Sequence, residues 1–185
     1  MKFEDRQIIL KDGRTCILTP TVAKYAEEMI DYLKDTAGES EFLLRYPDEI
    51  NYTVDGEIDI LNQFYEDERT IMMLALVDGK VAGNGSINSL SGARRLKHRG
   101  SLAIALKKDY WGLGIGRAMM DYMTELAGSA GYEQIELGVI AGNDRAKALY
   151  EKCGFIECGR NVNAMKYDDG TYRDEILMWK KCRSD

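Results

Sequence analysis

Two spacing patterns of apolar residues divide the first 70 residues into predicted elements. Residues 7–10 and 15–18 flank an Asp-Gly turn, which predicts a β-hairpin. Residues 22–33 and a second stretch near 57–68 carry apolar side chains three or four positions apart, so both predict amphipathic helices. An acidic, aromatic stretch over residues 39–52 separates the two helices.

From residue 70 onward, strand patterns alternate with helix patterns. Apolar segments at 71–77 and 80–90, joined by Asp78-Gly79, predict a hairpin with a two-residue turn. Hairpins are antiparallel and strand-helix-strand units are parallel, so the chain predicts an α/β domain with a mixed sheet. The remaining predicted elements are a strand at 101–106, a helix at 116–130, a strand at 134–140, a helix at 143–154 and strands at 155–162 and 172–179.

Composition narrows the class of protein. The chain has 185 residues, of which 45% are hydrophobic and 30% charged, enough for one ordinary core. The longest aliphatic run, 71–77, is far shorter than the roughly 20 residues that cross a bilayer, and the N-terminus opens with charges, so we expect a cytoplasmic protein without membrane contact. Four scattered cysteines and the single His98 predict reduced thiols and no metal site.

Charge is unevenly distributed along the chain. Residues 1–69 hold 8 basic and 17 acidic side chains, and residues 70–185 hold 17 basic and 14 acidic. Residues 94–117 form either a site for an anionic ligand or a solvated basic face. The formal net charge of -6 and the lack of a nucleic-acid motif argue against nucleic acid. The basic side chains of this segment are Arg94, Arg95, Lys97, Arg99, Lys107, Lys108 and Arg117.

Three glycines at alternate positions lie between the strand at 101–106 and the helix at 116–130. Gly112, Gly114 and Gly116 leave backbone N–H groups open at a helix N-terminus, which favours a phosphate and most naturally a diphosphate. A glycine turn of structural purpose is the alternative. The dinucleotide fingerprint fails because its third glycine would fall on Arg117 or Met119, and a P-loop lysine motif is absent from the sequence.

Two segments in this order resemble the acyl-CoA site of the GCN5-related N-acetyltransferases, the GNAT family. The first follows the family's phosphate loop, R/Q-x-x-G-x-G/A, over Trp111-Gly112-Leu113-Gly114-Ile115-Gly116, except that Trp111 stands at the first position. The second follows N-x-x-A-x-x-L-Y-x-K-x-G-F over residues 143–155. The resemblance covers residues 71–180 and is loose over residues 1–70.

The resemblance implies a single GNAT-like domain over residues 1–185, of class α/β (α+β), with a mixed, mostly antiparallel sheet of about seven strands flanked by helices. It implies that residues 71–180 bind acetyl-CoA as co-substrate, without a metal, and that residues 1–70 shape the acceptor pocket. The residues it implies for acetyl-CoA are Ile104, Ala105, Leu106, Trp111, Gly112, Leu113, Gly114, Ile115, Gly116, Arg117, Asn143, Ala146, Tyr150 and Lys152.

The resemblance also implies catalytic roles for Tyr150 and Asn143. The Tyr150 phenol would protonate the departing CoA thiolate while an amine attacks the thioester directly. A buried core tyrosine, a plain helix N-cap at Asn143 and a solvated Lys152 are the alternatives. Cys153 is read as a helix-face thiol because no histidine stands beside it to activate it.

The general base and the acceptor are left open by the sequence. Glu136, His98 or a water chain are the candidates for the base. The net charge of -9 over residues 1–69 favours a cationic amine, such as a polyamine, aminoglycoside, amino acid or basic peptide, although acidic surfaces also serve solubility. A non-catalytic acyl-CoA sensor is the alternative function. A homodimer formed through the final strands is a further expectation from the resemblance.

Overall fold

Eight strands form one sheet in the computed structural model, which describes residues 1–182. The strands are β1 (Arg6–Ile9), β2 (Thr15–Pro20), β3 (Ile71–Val77), β4 (Lys80–Ser89), β5 (Arg99–Leu106), β6 (Gln134–Ile140), β7 (Ile156–Lys166) and β8 (Tyr172–Lys181). The α-helices of these residues are α1 (Ala26–Glu39), α2 (Val54–Glu66), α3 (Ile115–Ser129) and α4 (Asp144–Lys152).

The order of the predicted elements is confirmed, and the strand count is eight rather than about seven. The first hairpin is part of the main sheet, because β2 pairs antiparallel with β3. Helix α1 continues past the last apolar position of its predicted pattern, since buried Thr36 bonds back to the Tyr32 carbonyl at 2.8 Å. Strand β7 continues to Lys166 because its pairing with β8 resumes beyond an irregularity between Asn161 and Met165.

The strands follow the spatial order β1-β2-β3-β4-β5-β6-β8-β7. Every neighbouring pair among the described strands is antiparallel except β5 and β6, which are parallel. A mixed, mostly antiparallel sheet is therefore confirmed. Helix α3 connects the two parallel strands, and β7 forms one edge of the sheet, where Ile156 and Val162 are exposed. This edge contains part of the surface expected in a homodimer, which stays a prediction.

The two faces of the sheet carry separate core clusters. The α3 face is the side on which Leu102, Leu137 and Ile176 pack with Met119 and Met123 of α3 in the larger cluster. The α1 face is the opposite side, where Met29 and Tyr32 of α1 pack with residues of β3 and β4 in the smaller cluster. Alternate positions of each strand serve alternate faces, as strand geometry requires.

The basic segment identified in the sequence is divided among separate ion pairs. Arg99 binds Glu136, Lys107 binds Asp35 at 2.7 Å, and Arg117 binds Asp121 at 2.7 Å. Three of the seven basic side chains are therefore paired with carboxylates at separate places, and these three do not form one basic surface. Over residues 1–182, no helix is both long and apolar enough to span a membrane, and no cluster of His, Cys, Asp and Glu offers three metal ligands.

Replacing Leu18 tests whether the first hairpin belongs to the core. Leu18 in β2 is fully buried in the larger cluster, whereas its neighbour Ile17 is 38% exposed. We expect Leu18→Ala to lower the free energy of unfolding by about 2–5 kcal/mol, because it leaves a cavity. The matched variant Ile17→Ala should cost less than about 1 kcal/mol. Urea denaturation measures both, and equal losses would contradict the assigned faces of β2.

Candidate functional site

A gap in the sheet opens between β5 and β6. The two strands pair only over Arg99–Ser101 and Gln134–Glu136, at the start of each strand. Beyond these pairs, residues 102–106 have β4 on one side and no strand on the other among residues 1–182. A strand edge with open peptide groups can accept an extended ligand as an added strand.

Tyr32 identifies which peptide groups face this gap. Its hydroxyl donates to the Ala105 carbonyl at 2.8 Å and accepts from the Asn84 N–H at 3.0 Å, so it bridges β5 and β4. Peptide groups alternate in direction along a strand, so those of Ile104 and Leu106 point into the gap. Burial raises the pKa of Tyr32, which keeps the bridging phenol protonated. The sequence analysis did not identify Tyr32, because its role depends on contacts distant in sequence.

Open N–H groups follow the end of β5. No N–H from residue 112 to 117 has a protein acceptor within the described chain, and the first bond of α3 runs from Ala118 N–H to the Gly114 carbonyl. These groups stand at the positive end of the α3 dipole. The arrangement fits a diphosphate, as the sequence predicted.

Glycine is required at the three positions of this loop for two different physical reasons. Gly112 and Gly114 adopt φ values of +78° and +102°, and a Cβ on either would meet nothing within 4 Å. They therefore allow the backbone path of the loop. Gly116 is a packing position, because its Cβ would lie 3.1 Å from Leu149 and 3.2 Å from Leu106. It brings α3, α4 and the end of β5 together.

Trp111, which departs from the family pattern, joins the loop to its neighbours. Its indole Nε1–H donates to the Leu106 carbonyl at 2.8 Å. The guanidinium of Arg145, in the first turn of α4, lies 4.2 Å from the centre of the Trp111 ring. Arg145 is exposed and next to the loop, where it could reach a phosphate. The sequence analysis did not identify Arg145, because the motif leaves its position unspecified.

The remaining residues predicted for the acetyl-CoA site lie in helix α4 and at its N-cap, Asn143. The Asn143 side chain accepts from the Ala146 N–H at 3.2 Å, so it is a helix N-cap whose amide N–H groups stay available. Tyr150 is 8% exposed, packs with Phe155 and makes no side-chain hydrogen bond to residues 1–182. Burial raises the pKa of Tyr150 to about 12. Lys152 is exposed.

Two side chains suggested as the base are poorly suited to that role. Arg99 forms a bidentate ion pair with Glu136, which lowers the pKa of that carboxyl and weakens it as a base. His98 precedes the paired end of β5, about 20 Å along the strand from Ile104. Cys153 is buried and burial raises the pKa of its thiol, which suits a packed side chain rather than a nucleophile.

A cavity of about 220 Å³ lies on the α1 face, beside Ala105 and Asn84. Its walls come from α1 and from the segment at 43–52, which the sequence marked as acidic and aromatic. Arg45 is the charged residue of this lining, and its guanidinium donates to the Tyr52 hydroxyl. Among residues 1–182, no acidic residue lines the cavity, so the acidic side chains of this part of the chain that favoured a cationic acceptor lie elsewhere. Apolar lining residues are Leu33, Ala37, Leu43, Leu44 and Ile50.

Comparisons with known proteins agree with this geometry. A [ribosomal protein bS18]-alanine N-acetyltransferase of Escherichia coli K12 is 36% identical over 75 residues, which are 40% of this chain, and the match spans 50% of that relative. A GNAT-family acetyltransferase from Streptococcus pneumoniae superimposes with a TM-score of 0.85 and 28% identity, over 90% of this chain and 99% of that one.

A third protein has a similar fold at low sequence identity. The structure of yncA from Salmonella typhimurium, solved with its cofactor acetyl-CoA, has a TM-score of 0.80 and 11% identity and covers 92% of this chain and 95% of that one. The model of the acetyltransferase (GNAT) family matches residues 25–155, which is more than half of the sequence. The chain therefore belongs to the GNAT family of acetyltransferases.

Proposed function

We propose that the protein is an N-acetyltransferase that uses acetyl-CoA and transfers the acetyl group directly to an amine held in the same complex. The observation that carries the proposal is the row of N–H groups at residues 112–117, open to a diphosphate beside the free edge of β5. Family membership supports the same activity.

The end of β5 would hold the pantetheine arm of acetyl-CoA. Ile104 presents its N–H and carbonyl to the gap, and Leu106 presents its N–H, while Trp111 already occupies the Leu106 carbonyl. The residues at 112–117 would bind the diphosphate, with the Arg145 guanidinium nearby. Bound in this way, acetyl-CoA supplies a thioester whose carbonyl carbon accepts the amine.

Tyr150 would act on the departing sulfur. A pKa of about 12 keeps its phenol protonated at neutral pH, as an acid must be. A thiol has a pKa of about 8.5, so complete proton transfer from Tyr150 is unfavourable, and a hydrogen bond to the developing thiolate is the larger contribution. Asn143 would orient the pantetheine or the amine through its free amide N–H groups.

The cavity on the α1 face would receive the acceptor. Its walls are mainly apolar, and Arg45 has no carboxylate partner among residues 1–182. A guanidinium in this setting favours an anionic group on the ligand. We therefore propose a small amine that combines an apolar group with a carboxylate, such as an apolar amino acid.

A protein amine is the second candidate acceptor. The Escherichia coli relative is named for the alanine of ribosomal protein bS18, which supports this alternative. A cavity of about 220 Å³ accommodates a small molecule or a terminal residue. The Arg45 guanidinium favours the free amino acid, because that acceptor carries a carboxylate. A non-catalytic acyl-CoA sensor is the third candidate, and it requires no acid at position 150.

Calorimetry with acetyl-CoA tests the binding part of the proposal. We expect micromolar binding of acetyl-CoA and CoA and none of NADH. Gly114→Ala places a Cβ at a φ of +102°, a strain of about 1–2 kcal/mol. The free loop should relieve this strain by leaving its present conformation, so we expect binding to weaken roughly 5- to 30-fold. Gly92→Ala is the control, since Gly92 has open space and no positive φ. Failure of both CoA species to bind the wild type would refute the proposal.

Tyr150→Phe separates a transferase from a sensor. We expect the variant to lower kcat about 100-fold and to leave the Kd for acetyl-CoA within about twofold, because only the hydroxyl is removed. The protonated phenol is lost only as pH rises through about 12, so the wild-type pH–rate profile from pH 6 to 9 should show no limb due to Tyr150. Unchanged kcat would contradict the assigned role.

Arg45→Met tests the class of acceptor. We expect the wild type to prefer leucine over leucinamide, and the variant to reduce this ratio of kcat/KM roughly 10- to 100-fold, as for a lost charged hydrogen bond. Comparing ratios cancels the different amine pKa values of the two substrates. Arg94→Met, at an exposed site outside the cavity, is the control. A preference for alanine-initiated peptides or polyamines would reject the proposed acceptor.

A further inference from the structure

Gly138 on β6 lies at the beginning of the gap, on the α1 face of the sheet. Ser101 and Glu136 are register partners and share a face of the sheet. Side chains alternate between faces, so Ala105, four residues after Ser101, and Gly138, two residues after Glu136, lie on that same face. Ala105 lines the acceptor cavity. Gly138 therefore faces the side from which the acceptor amine would approach.

The space above Gly138 is filled by a carboxylate from the neighbouring strand. A Cβ on Gly138 would lie 1.9 Å from Oε1 of Glu175 and 2.5 Å from its Cδ. The φ of Gly138 lies outside the positive region, so no backbone conformation requires glycine there. Glycine at this position is explained by the space that the Glu175 carboxylate occupies.

The two oxygens of Glu175 have different surroundings. Oε2 accepts from the Asn161 side-chain amide at 2.9 Å, and Asn161 is its register partner on β7. Oε1 has no hydrogen-bond partner among residues 1–182. One oxygen is therefore fixed and the other is presented above Gly138.

The segment that forms one wall of the acceptor cavity contacts β8 near the Glu175 carboxylate. Arg173, two residues before Glu175 on the same face of β8, pairs with Glu41 at 2.8 Å. The Tyr167 hydroxyl donates to the Glu41 carbonyl at 3.0 Å. The segment that continues from Glu41 supplies Arg45 and Tyr52 to the cavity, so this wall is anchored to β8 beside Glu175.

We propose that Glu175 is the general base for the acceptor amine, an assignment that rests on the proposed acetyltransferase function. Neither Glu136, held by Arg99, nor His98, at the far end of β5, lies at the open part of the gap. Glu175 combines a free oxygen, a fixed position and the correct face of the sheet.

In the proposed reaction, Glu175 accepts one proton from the amine as the new bond forms. The nitrogen of the neutral amine forms a bond to the thioester carbonyl carbon, and one of its protons passes to Oε1 of Glu175. The C–S bond then breaks, its electron pair goes to sulfur, and the thiolate leaves hydrogen-bonded to Tyr150. Glu175 returns its proton to solvent, and the products are the amide and CoA.

Glu175→Gln tests the assignment with the full chain. With leucine as acceptor, we expect kcat to fall about 10²- to 10⁴-fold, while calorimetry gives a Kd for acetyl-CoA within about twofold of the wild type. The amide keeps the shape and the contact to Asn161 but accepts no proton. Glu133→Gln, an exposed carboxylate next to β6, is the control and should keep wild-type turnover.

A transplanted carboxylate provides the second test. Glu175→Ala clears the space above Gly138, and adding Gly138→Glu returns a carboxylate to the same region from β6. We expect the double variant to recover turnover at least tenfold over Glu175→Ala, whereas Gly138→Gln in the same background should not. Wild-type turnover retained by Glu175→Gln would overturn the assignment alone. Absence of turnover in the wild type with every amine would overturn the proposed function and the assignment together.

Discussion

The separation of β5 and β6 is the constraint on which the rest of the site depends. Peptide groups inside a sheet normally bond to a neighbouring strand, and buried ones left open are costly. Here the ladder stops after Ser101 and Glu136, so the end of β5 keeps an open edge in the middle of the sheet. Strand β5 stays paired with β4 and strand β6 stays paired with β8, so both strands are held in place where they separate from each other. The open edge is therefore a rigid feature, and its polar groups are available to a ligand.

Packing at Gly116 connects this gap to the glycine loop at residues 111–116. Leu106 from β5, Leu149 from α4 and the first turn of α3 meet where a Cβ would not fit. The start of α3 is therefore fixed relative to the end of β5, and so are its open N–H groups. Preorganised donors bind an anion without a further ordering cost. Trp111 strengthens the same junction through its bond to the Leu106 carbonyl, so a residue that breaks the sequence pattern contributes to the geometry.

Local sequence signals predicted the elements and the glycine loop before α3, because each depends on residues close together in the chain. Spacing of apolar residues identified every strand, and Gly112 and Gly114 identified the loop. Three features depend on contacts between distant segments: the joining of the first hairpin to the main sheet, the ion pairs of Arg99, Lys107 and Arg117, and the bridging hydroxyl of Tyr32. Charge counts over residues 1–69 favoured a cationic acceptor, but the cavity presents Arg45, since a count does not say which side chains share a surface.

The general base also depends on contacts between distant segments, so the sequence alone does not identify it. Glu136 is the only acidic residue of β5 and β6, the strands that form the gap, and Arg99 pairs with it. A carboxylate base must lie at a particular point in space, and any strand that reaches this point can supply it. Gly138 has an ordinary backbone conformation, so its lack of a side chain indicates occupation by a neighbour. The register of β6 and β8 pairs Gly138 with Leu177 and Ile140 with Glu175, so Glu175 is a diagonal neighbour on the same face, and its carboxylate reaches over Gly138.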